Sequence, residues 1–244
     1  MYRGAQPVNV VVLSGAPLLL ILLLYFAVFP VHIDSSASSD DDNYKESSEE
    51  DFEEENSIQL CCTWGHDLQD GKLKYNIDGI DSSKEQQNAV RNAIEEWDSS
   101  IDSLDLERVS RIAQSDITVE FDNGSEEIAG DEEIAGKTVT TFDQHGFLDN
   151  AEVTIYKKPY GYELDTSEIE QVVKHEMGHA LGLGHANFDG NLMALRVNDG
   201  TDTISECEIK AVIEANYWKL GDFNGDNTYP SYPKGQNVFC EDDP

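Results

Sequence analysis

One run of residues, HEMGHALGLGH at positions 175–185, combines metal-binding side chains with a carboxylate. His175 and His179 are four residues apart, so a helix places both imidazoles on one face, where they can bind one metal ion. Glu176 lies about 100° round that helix from His175. A carboxylate placed there is near the metal without being a ligand, which suits a general base. The run therefore predicts two metal ligands and a base on one helix.

The end of the same run supplies a third ligand. Gly182 can leave the helix through a left-handed conformation, and this turn can return His185 to the same metal. Three neutral imidazoles leave the fourth position of a tetrahedral zinc open for water, as catalytic zinc sites do. The predicted cofactor is one catalytic Zn²⁺ ion, bound by His175, His179 and His185.

A methionine follows the third histidine by eight residues, at Met193 in the run Asn-Leu-Met-Ala. Together with the histidine run, it resembles the metzincin metalloproteases, whose zinc signature is followed by a methionine turn. The spacing and the Leu-Met-Ala run are most similar to the matrixin branch, and Leu195 stands where astacin and serralysin relatives have tyrosine. The resemblance implies a zinc-dependent endopeptidase that hydrolyses peptide bonds through a zinc-activated water. The N-terminal segment described below makes extracytoplasmic proteins its expected substrates. Glu176 would be its general base and Met193 a packing floor under the metal.

Two other functions fit part of this pattern. A cell-surface binding or adhesion module could carry the zinc as a structural ion, but such a site normally has four protein ligands and no use for Glu176. A zinc hydrolase with a different amide substrate is the second alternative. His185 and Met193 favour the metzincin interpretation over both.

The helix that carries the first two histidines has a predicted start at Ser167, because Ser167 and Glu170 match the S-x-x-E capping box. Apolar residues at helical spacing would bury one face of this helix against the domain, namely Ile169, Val172, Val173, Ala180 and Leu181. A second capping box, Ser205 and Glu208, predicts a last helix over residues 205–218.

The order of elements before that helix completes the predicted fold. Alternating and helical patterns predict a helix over residues 83–101 and strands over residues 72–77, 104–109, 116–121, 137–142 and 151–157. This order resembles the matrixin catalytic domain. It implies an α+β, zincin-like fold with an α/β-type N-terminal subdomain, a twisted five-stranded mixed sheet and three main helices.

By the same resemblance, residues 137–142 form the antiparallel edge strand above the cleft. An exposed edge can hold an extended peptide through main-chain hydrogen bonds. The residues expected to lie along the substrate are Thr138, Val139, Thr140 and Thr141. His145, in the turn that follows, has no metal partner at ligand spacing and is interpreted as a loop histidine.

Two acidic segments carry weaker signals. The direct repeat EEIAG, at residues 126–130 and 132–136, is interpreted as a local duplication in an exposed loop. Asp222, Asn224 and Asp226 imitate the first half of a calcium loop, but Asn227 and Pro233 occupy the positions that need Gly and Glu. Ca²⁺ is therefore a conceivable ligand without a full motif, and an Asx-rich turn is the better interpretation.

The amino-acid composition limits the classes of molecule that the chain can bind. The chain has 244 residues and a formal net charge of −33, which argues against nucleic acid because binding it needs a basic surface. Residues 58–244 are the predicted matrixin-like zinc metallopeptidase domain. It is expected to act as a monomer on a protein or peptide substrate.

The N-terminal region predicts attachment to a membrane and the cellular location of the catalytic domain. Residues 8–31 form an uncharged run of 24, long enough for a transmembrane signal anchor, with a cleaved signal peptide as the alternative. Charge asymmetry then places residues 1–7 in the cytoplasm, and residues 32–57 form an acidic, disordered linker. The catalytic domain is expected outside the cytoplasm, membrane-anchored, or secreted if the segment is cleaved.

An exported chain permits disulfides between its four cysteines, Cys61, Cys62, Cys207 and Cys240. Neighbouring Cys61 and Cys62 are not expected to bridge each other. Two pairings then remain, each joining the start of the domain to its C-terminal part, with one bridge plus two free thiols as the alternative.

Overall fold

The computed structural model describes residues 9–12, 55–124, 127–128, 132–195, 202–221, 229–233 and 235–240. The strands within these residues are β1 (Asn9–Val12), β2 (Ser57–Leu60), β3 (Lys72–Ile77), β4 (Asp105–Arg108), β5 (Ile117–Asp122), β6 (Glu127–Ile128), β7 (Glu132–Phe142), β8 (Leu148–Tyr156), β9 (Leu183–Ala186) and β10 (Asn237–Phe239). The helices are α1 (Lys84–Ser100), α2 (Thr166–Ala180), α3 (Glu206–Ala215) and α4 (Tyr217–Leu220). These residues all belong to one compact unit of the chain.

A mixed sheet with the strand order β7-β8-β5-β3-β4 lies at the centre of the fold. The strands β4, β3, β5 and β8 run parallel, and β7 runs antiparallel to β8. The helices α1 and α2 pack against each other, and α2 also contacts β7 and β8. This arrangement confirms the predicted α+β fold with a five-stranded mixed sheet and three main helices, which are α1, α2 and α3.

The first helix follows its sequence pattern closely. Ser83 accepts a hydrogen bond from the Gln86 N–H, and the Gln86 side chain accepts one from the Ser83 N–H, which closes a capping box. The buried face of α1 consists of the predicted residues Ala89, Val90, Ala93, Ile94 and Trp97. All three tryptophans of the chain, Trp64, Trp97 and Trp218, are buried in the core.

The start predicted for α2 was wrong by two residues. Asp165 caps the helix, because its Oδ1 accepts from the N–H groups of Ser167 and Glu168 at 2.8 and 3.0 Å. Glu168 completes the box by accepting from the Asp165 N–H at 2.8 Å. Two overlapping boxes compete here, and aspartate is as good a cap as serine. Glu170 instead pairs with Lys174, at 3.5 Å, one turn later.

The edge strand β7 is longer than predicted and includes the second copy of the acidic repeat. Glu132 and Glu133 pair with Ile128 and Glu127 of β6, so residues from the two copies pair with each other as antiparallel strands. Ile134 is buried, which an exposed loop would not allow. The interpretation of residues 132–136 as an exposed loop was therefore wrong; residues 125–126 and 129–131 lie outside the described part of the chain.

The predicted last helix is interrupted at Asn216. Ser205 and Glu208 form the expected capping box. However, the buried Asn216 side chain donates to the carbonyls of Leu181 and Val212 at 2.8 and 3.1 Å. Its Oδ1 also accepts from the Trp64 N–H at 3.0 Å. These bonds compete with continued helix, so residues 205–218 divide into α3 and α4.

A small second sheet, with the order β10-β2-β9, was not predicted. It brings the C-terminal segment to the start of the domain, where the Cys240 N–H donates to the Asn56 carbonyl at 2.8 Å. Cys240 thereby reaches Cys207 on α3, and the two form a disulfide with a Cα–Cα distance of 5.4 Å.

The second disulfide joins Cys61 to Cys62. Both predicted long-range pairings were therefore wrong, as was the alternative with two free thiols, since no cysteine in the described residues is free. Cys61 and Cys62 both donate their N–H groups to the Gly182 carbonyl, in the turn that follows α2.

The N-terminal predictions are largely outside the described residues. Of the predicted span 8–31, only β1 is described, and it pairs antiparallel with β7. Across the part of the chain that the structure describes, no helix has the length and hydropathy to cross a membrane. The predicted linker over residues 32–57 is too long at its C-terminal end, because Ser57 is buried in β2. Its residues 32–54, the rest of the predicted membrane span and the calcium-like residues Asp222, Asn224 and Asp226 lie outside the described residues and stay predictions.

Candidate metal centre

Three histidines converge where α2 ends and β9 begins. His175 and His179 project from adjacent turns of α2, with their Nε2 atoms 3.0 Å apart, and His185 projects from β9. One ligand atom from each of the three lies within 4.8 Å of the others. Among the described residues, this is the one group of three or more potential ligands close enough to share an ion.

The hydrogen bonds behind two of the rings decide which nitrogen faces the centre. His175 Nδ1 lies 2.6 Å from the Leu192 carbonyl, and His179 Nδ1 lies 2.9 Å from the Leu183 carbonyl. A carbonyl oxygen only accepts, so both Nδ1 atoms carry the hydrogen. The Nε2 lone pairs are therefore available to a metal, and the rings are held in orientation as metal-binding histidines usually are.

Burial keeps these rings neutral. His175 and His179 are fully buried, and burial lowers the pKa of His175 to about 3. Burial, together with the neighbouring histidines, also lowers the pKa of His179 well below its usual value. Because only neutral imidazole binds a metal, the folded site does not need to release protons at neutral pH before it can bind one.

Gly182 makes the turn that separates the two ligand-bearing elements. Its φ is +107°, in the left-handed region, as the sequence predicted. A Cβ at this position would lie 2.5 Å from the Cys62 carbonyl oxygen. The Gly182 carbonyl accepts from the Cys61 and Cys62 N–H groups at 2.9 and 3.3 Å. The turn is thus fixed against the start of the domain, and it directs the chain into β9 with His185.

Glu176 lies on the same helix, fully buried beside His175. Its Oε2 accepts a hydrogen bond from the Thr138 hydroxyl at 2.6 Å. Its Oε1 is buried and has no hydrogen-bond partner among the described residues. Burial raises the pKa of Glu176 to about 8, and the Thr138 hydroxyl opposes that rise. A buried carboxylate with one oxygen unsatisfied is costly unless a ligand or reactant completes it.

Met193 packs under the helix rather than joining the ligands. A Cβ on Gly178 would lie 2.4 Å from the Met193 sulfur, so only glycine leaves room for this contact between the two histidine turns. The Met193 carbonyl accepts from the Ala186 N–H at 2.7 Å, next to His185. Its own N–H donates to Asn191 Oδ1 at 2.9 Å. Met193 therefore packs against α2 at Gly178, and its role as a floor under the metal stays a prediction.

Glu208 supports the centre from α3, which the sequence did not predict. This buried carboxylate accepts from the Leu192 N–H at 3.1 Å, and from the Ser205 N–H at 2.9 Å. The carbonyl of the same Leu192 accepts from His175. The sequence predicted only the local hydrogen bond from Ser205, as part of a capping box. The hydrogen bond from Leu192 depends on how α3 packs against the metal centre, and no local pattern indicates it.

Two tryptophans fix the ends of the metal-binding segment. Trp97 Nε1 donates to the Lys174 carbonyl at 3.0 Å, and Trp64 Nε1 donates to the Ala180 carbonyl at 2.9 Å. Their positions in the sequence give no sign of this, because each bond joins residues far apart in the chain. Together they hold α2 against α1 and against the start of the domain.

The predicted substrate strand lies at the edge of the five-stranded sheet. Thr138 and Thr140 have buried side chains, whereas Val139 and Thr141 are partly buried. The outer edge of β7 pairs with β1 between Ile134 and Thr138. An extended segment of this same chain thus lies along that part of the strand.

The donor set fits zinc. Three imidazole nitrogens suit a catalytic zinc ion, and the same helix carries the buried Glu176 Oε1, an acceptor without a partner among the described residues. The described residues offer no comparable cluster of oxygen ligands for calcium.

The family model for matrixins, peptidase M10, matches residues 63–215 of the chain. The match covers more than half of the sequence and runs from the residue after Cys62 to the last residue of α3. It includes the three histidines, Glu176 and Met193. No curated protein matches the chain.

Proposed function

The chain belongs to the matrixin family of zinc metalloproteases, and we propose that it is an endopeptidase whose general base is Glu176. The observation that carries this proposal is the state of the Glu176 carboxylate. It is fully buried next to His175, with Oε2 held by Thr138 and Oε1 unpartnered within the described residues. A structural metal site has no use for such a group.

The residues would divide the reaction among them as follows. His175, His179 and His185 hold the zinc ion, which when bound supplies a Lewis acid that polarises the scissile carbonyl and acidifies water. Glu176 accepts a proton from the water as the new C–O bond forms. It then donates this proton to the leaving nitrogen as the C–N bond breaks. Burial raises the pKa of Glu176 in the metal-free site, and the positive charge of a bound zinc ion would lower it towards neutrality, where one carboxyl group can perform both transfers.

The edge strand β7 is the proposed substrate platform. An extended peptide would pair with its outer edge through main-chain hydrogen bonds, which tolerate many side chains. Support comes from β1, since Asn9–Val12 already pairs antiparallel with residues 134–138. The proposed substrates are therefore extended stretches of protein or peptide.

An extracytoplasmic site of action is part of the same proposal. The Cys207–Cys240 disulfide supports it, because structural disulfides persist in oxidising compartments. The uncharged run over residues 8–31 predicts export, as a signal anchor or a signal peptide, but its residues 9–12 pair with β7 in the structure, so the disulfide is the observation that carries this part of the proposal.

Incubation of the purified full-length chain with a library of unstructured peptides tests the proposal. We expect cleavage at internal bonds, loss of cleavage with a chelator, recovery with zinc, and one zinc ion per chain. A zinc-loaded chain that binds peptides without cleaving them would instead support the structural-zinc module. Cleavage of small amides alone would support the non-peptidase hydrolase.

A further inference from the structure

We propose that Thr138 is a positioning residue for Glu176, fixing which carboxylate oxygen is left to accept the proton. The proposal rests on the proposed function, in which Glu176 is the general base. Thr138 lies on β7 and Glu176 on α2, 38 residues away in sequence. The inference assigns to the Thr138 side chain a role different from the substrate contact that its place on the edge strand suggests.

The contact between the two side chains is short and enclosed. Thr138 Oγ1 lies 2.6 Å from Glu176 Oε2 and 3.1 Å from the Glu176 carbonyl oxygen. Thr138 is 1% exposed and Glu176 is 0% exposed. Because both side chains are buried, solvent does not compete for this hydrogen bond in the folded protein.

Neighbouring atoms leave the carboxylate little freedom to turn. A Cβ built on Gly136 would lie 2.7 Å from Glu176 Oε1 and 2.7 Å from Val172 Cγ1. The β7 backbone therefore passes directly against the carboxylate and against the preceding turn of α2. With Oε2 held by Thr138, Oε1 is the oxygen left without a partner among the described residues.

The geometry connects the proposed base to the proposed substrate platform. The strand that would align the peptide main chain also carries the hydroxyl that orients the carboxylate. Displacements of a reacting group by about 1 Å can lower a rate by about 100-fold. A single strand that positions both partners keeps the distance between them constant.

The variants Thr138→Val and Thr138→Ser separate the hydrogen bond from packing. Valine keeps the shape of threonine and removes the donor, whereas serine keeps the donor. We expect kcat of Thr138→Val to fall by about 10- to 100-fold, as for loss of a hydrogen bond to a charged group. KM and the zinc content should stay unchanged, and Thr138→Ser should recover most of the lost rate.

Thr154→Val is the matched control. Thr154 lies on the adjacent strand β8, and its hydroxyl donates to Glu120 Oε1 at 3.1 Å, away from the metal centre. Its loss removes a threonine–glutamate hydrogen bond from the same sheet and should leave kcat unchanged.

A double-mutant cycle in the metal-free protein gives a readout without turnover. The unfolding equilibrium constants of the wild type, Thr138→Val, Glu176→Ala and the double variant should show a coupling of about 3- to 10-fold, as for a hydrogen bond between neutral groups. This cycle remains informative if Thr138→Val is less stable than the wild type. Absence of coupling, or a zinc-loaded Thr138→Val with the wild-type kcat, overturns the proposal. A wild-type chain that cleaves no peptide contradicts the proposed function instead, and the cycle still tests the hydrogen bond.

Discussion

At the residue scale, the charge state of Glu176 depends on a low-polarity environment made by distant parts of the chain. Burial raises its folded-state pKa to about 8 from a usual value of 4.5. In the metal-free protein, the folded state then keeps a proton that the unfolded state releases at lower pH. The contribution of Glu176 to the unfolding free energy is therefore present at acid pH and is lost as the pH rises towards 8.

This linkage predicts a pH dependence that Glu176→Gln removes, because an amide does not titrate. Relative to that variant, the metal-free wild type should lose about 1 kcal/mol of unfolding free energy per pH unit between pH 5 and 8. Denaturant unfolding of both proteins, after chelation and across this range, measures the difference. A constant difference would show that the folded-state pKa is not raised.

Gly136 gives a second prediction at this scale. In Gly136→Ala, the new methyl group would lie 2.7 Å from both Glu176 Oε1 and Val172 Cγ1, so the strand or the carboxylate must move. We expect a loss of about 1–3 kcal/mol in unfolding free energy, as for other overpacked sites, and a fall in kcat. Gly235→Ala controls for the general effect of adding a methyl group to a glycine, because Gly235 has no positive φ and a Cβ there would meet only the Asn237 carbonyl oxygen, at an ordinary 3.5 Å. Wild-type stability and rate in Gly136→Ala would contradict the close approach.

Some residues of the metal centre could be placed from the sequence and others could not, depending on whether their contacts are local or tertiary. His175, Glu176 and His179 could be predicted because helical geometry fixes their relation within one turn. Thr138 could be assigned to the edge strand, but not to the carboxylate, because that contact spans 38 residues and depends on how β7 meets α2.

At the element scale, α3 supports the metal centre through one buried carboxylate. Glu208 accepts from the Leu192 N–H, and the Leu192 carbonyl orients His175. Glu208→Ala removes both carboxylate oxygens, so the Leu192 and Ser205 N–H groups both lose their acceptor. We expect zinc affinity to fall by about 10-fold or more, as for other groups that orient metal ligands. Competition with a chromophoric chelator measures it.

The exposed Glu206, two residues earlier on α3, provides the control. Glu206→Ala makes the same chemical change at the surface and should leave zinc affinity unchanged. Equal affinities in Glu208→Ala and the wild type would show that the Leu192 peptide is held without Glu208.

Element boundaries were less predictable than element types. The helix α1 agrees with its pattern because a capping box and an apolar face specify the same segment. At the start of α2, two overlapping S/D-x-x-E patterns compete, and local rules do not rank them. At Asn216 a tertiary contact ends α3, because the Asn216 side chain forms hydrogen bonds with the backbone of Leu181 and Trp64, which lie elsewhere in the chain.

At the scale of the whole molecule, the Cys207–Cys240 disulfide closes the C-terminal segment onto α3 with a sequence separation of 33 residues. The chain-entropy model assigns such a loop about 3–4 kcal/mol of stabilisation. Replacing both cysteines with serine should lower the unfolding free energy by about that amount. Peptide mapping without reduction should recover Cys207 and Cys240 in one linked fragment. Fragments that link either of them to Cys61 or Cys62 would contradict the structure.

The pairing of the four cysteines could not be predicted from the sequence. The rarity of bridges between neighbouring cysteines favoured long-range pairings, but the small sheet of β10, β2 and β9 brings Cys240 to Cys207 instead. That sheet joins residues from opposite ends of the domain, and no local sequence pattern predicts such a pairing of strands. The family fold, in contrast, was predictable because the order of elements and the histidine run agree with one architecture.

The central claim is that Glu176 performs the proton transfers in a zinc site built by three histidines. Glu176→Ala, compared with the wild type and with Glu107→Ala on the exposed face of β4, tests it most directly by zinc content and peptide cleavage. We predict one zinc ion per chain in all three proteins, and loss of nearly all turnover in Glu176→Ala alone. A zinc-loaded Glu176→Ala that cleaves peptides at the wild-type rate would contradict the account.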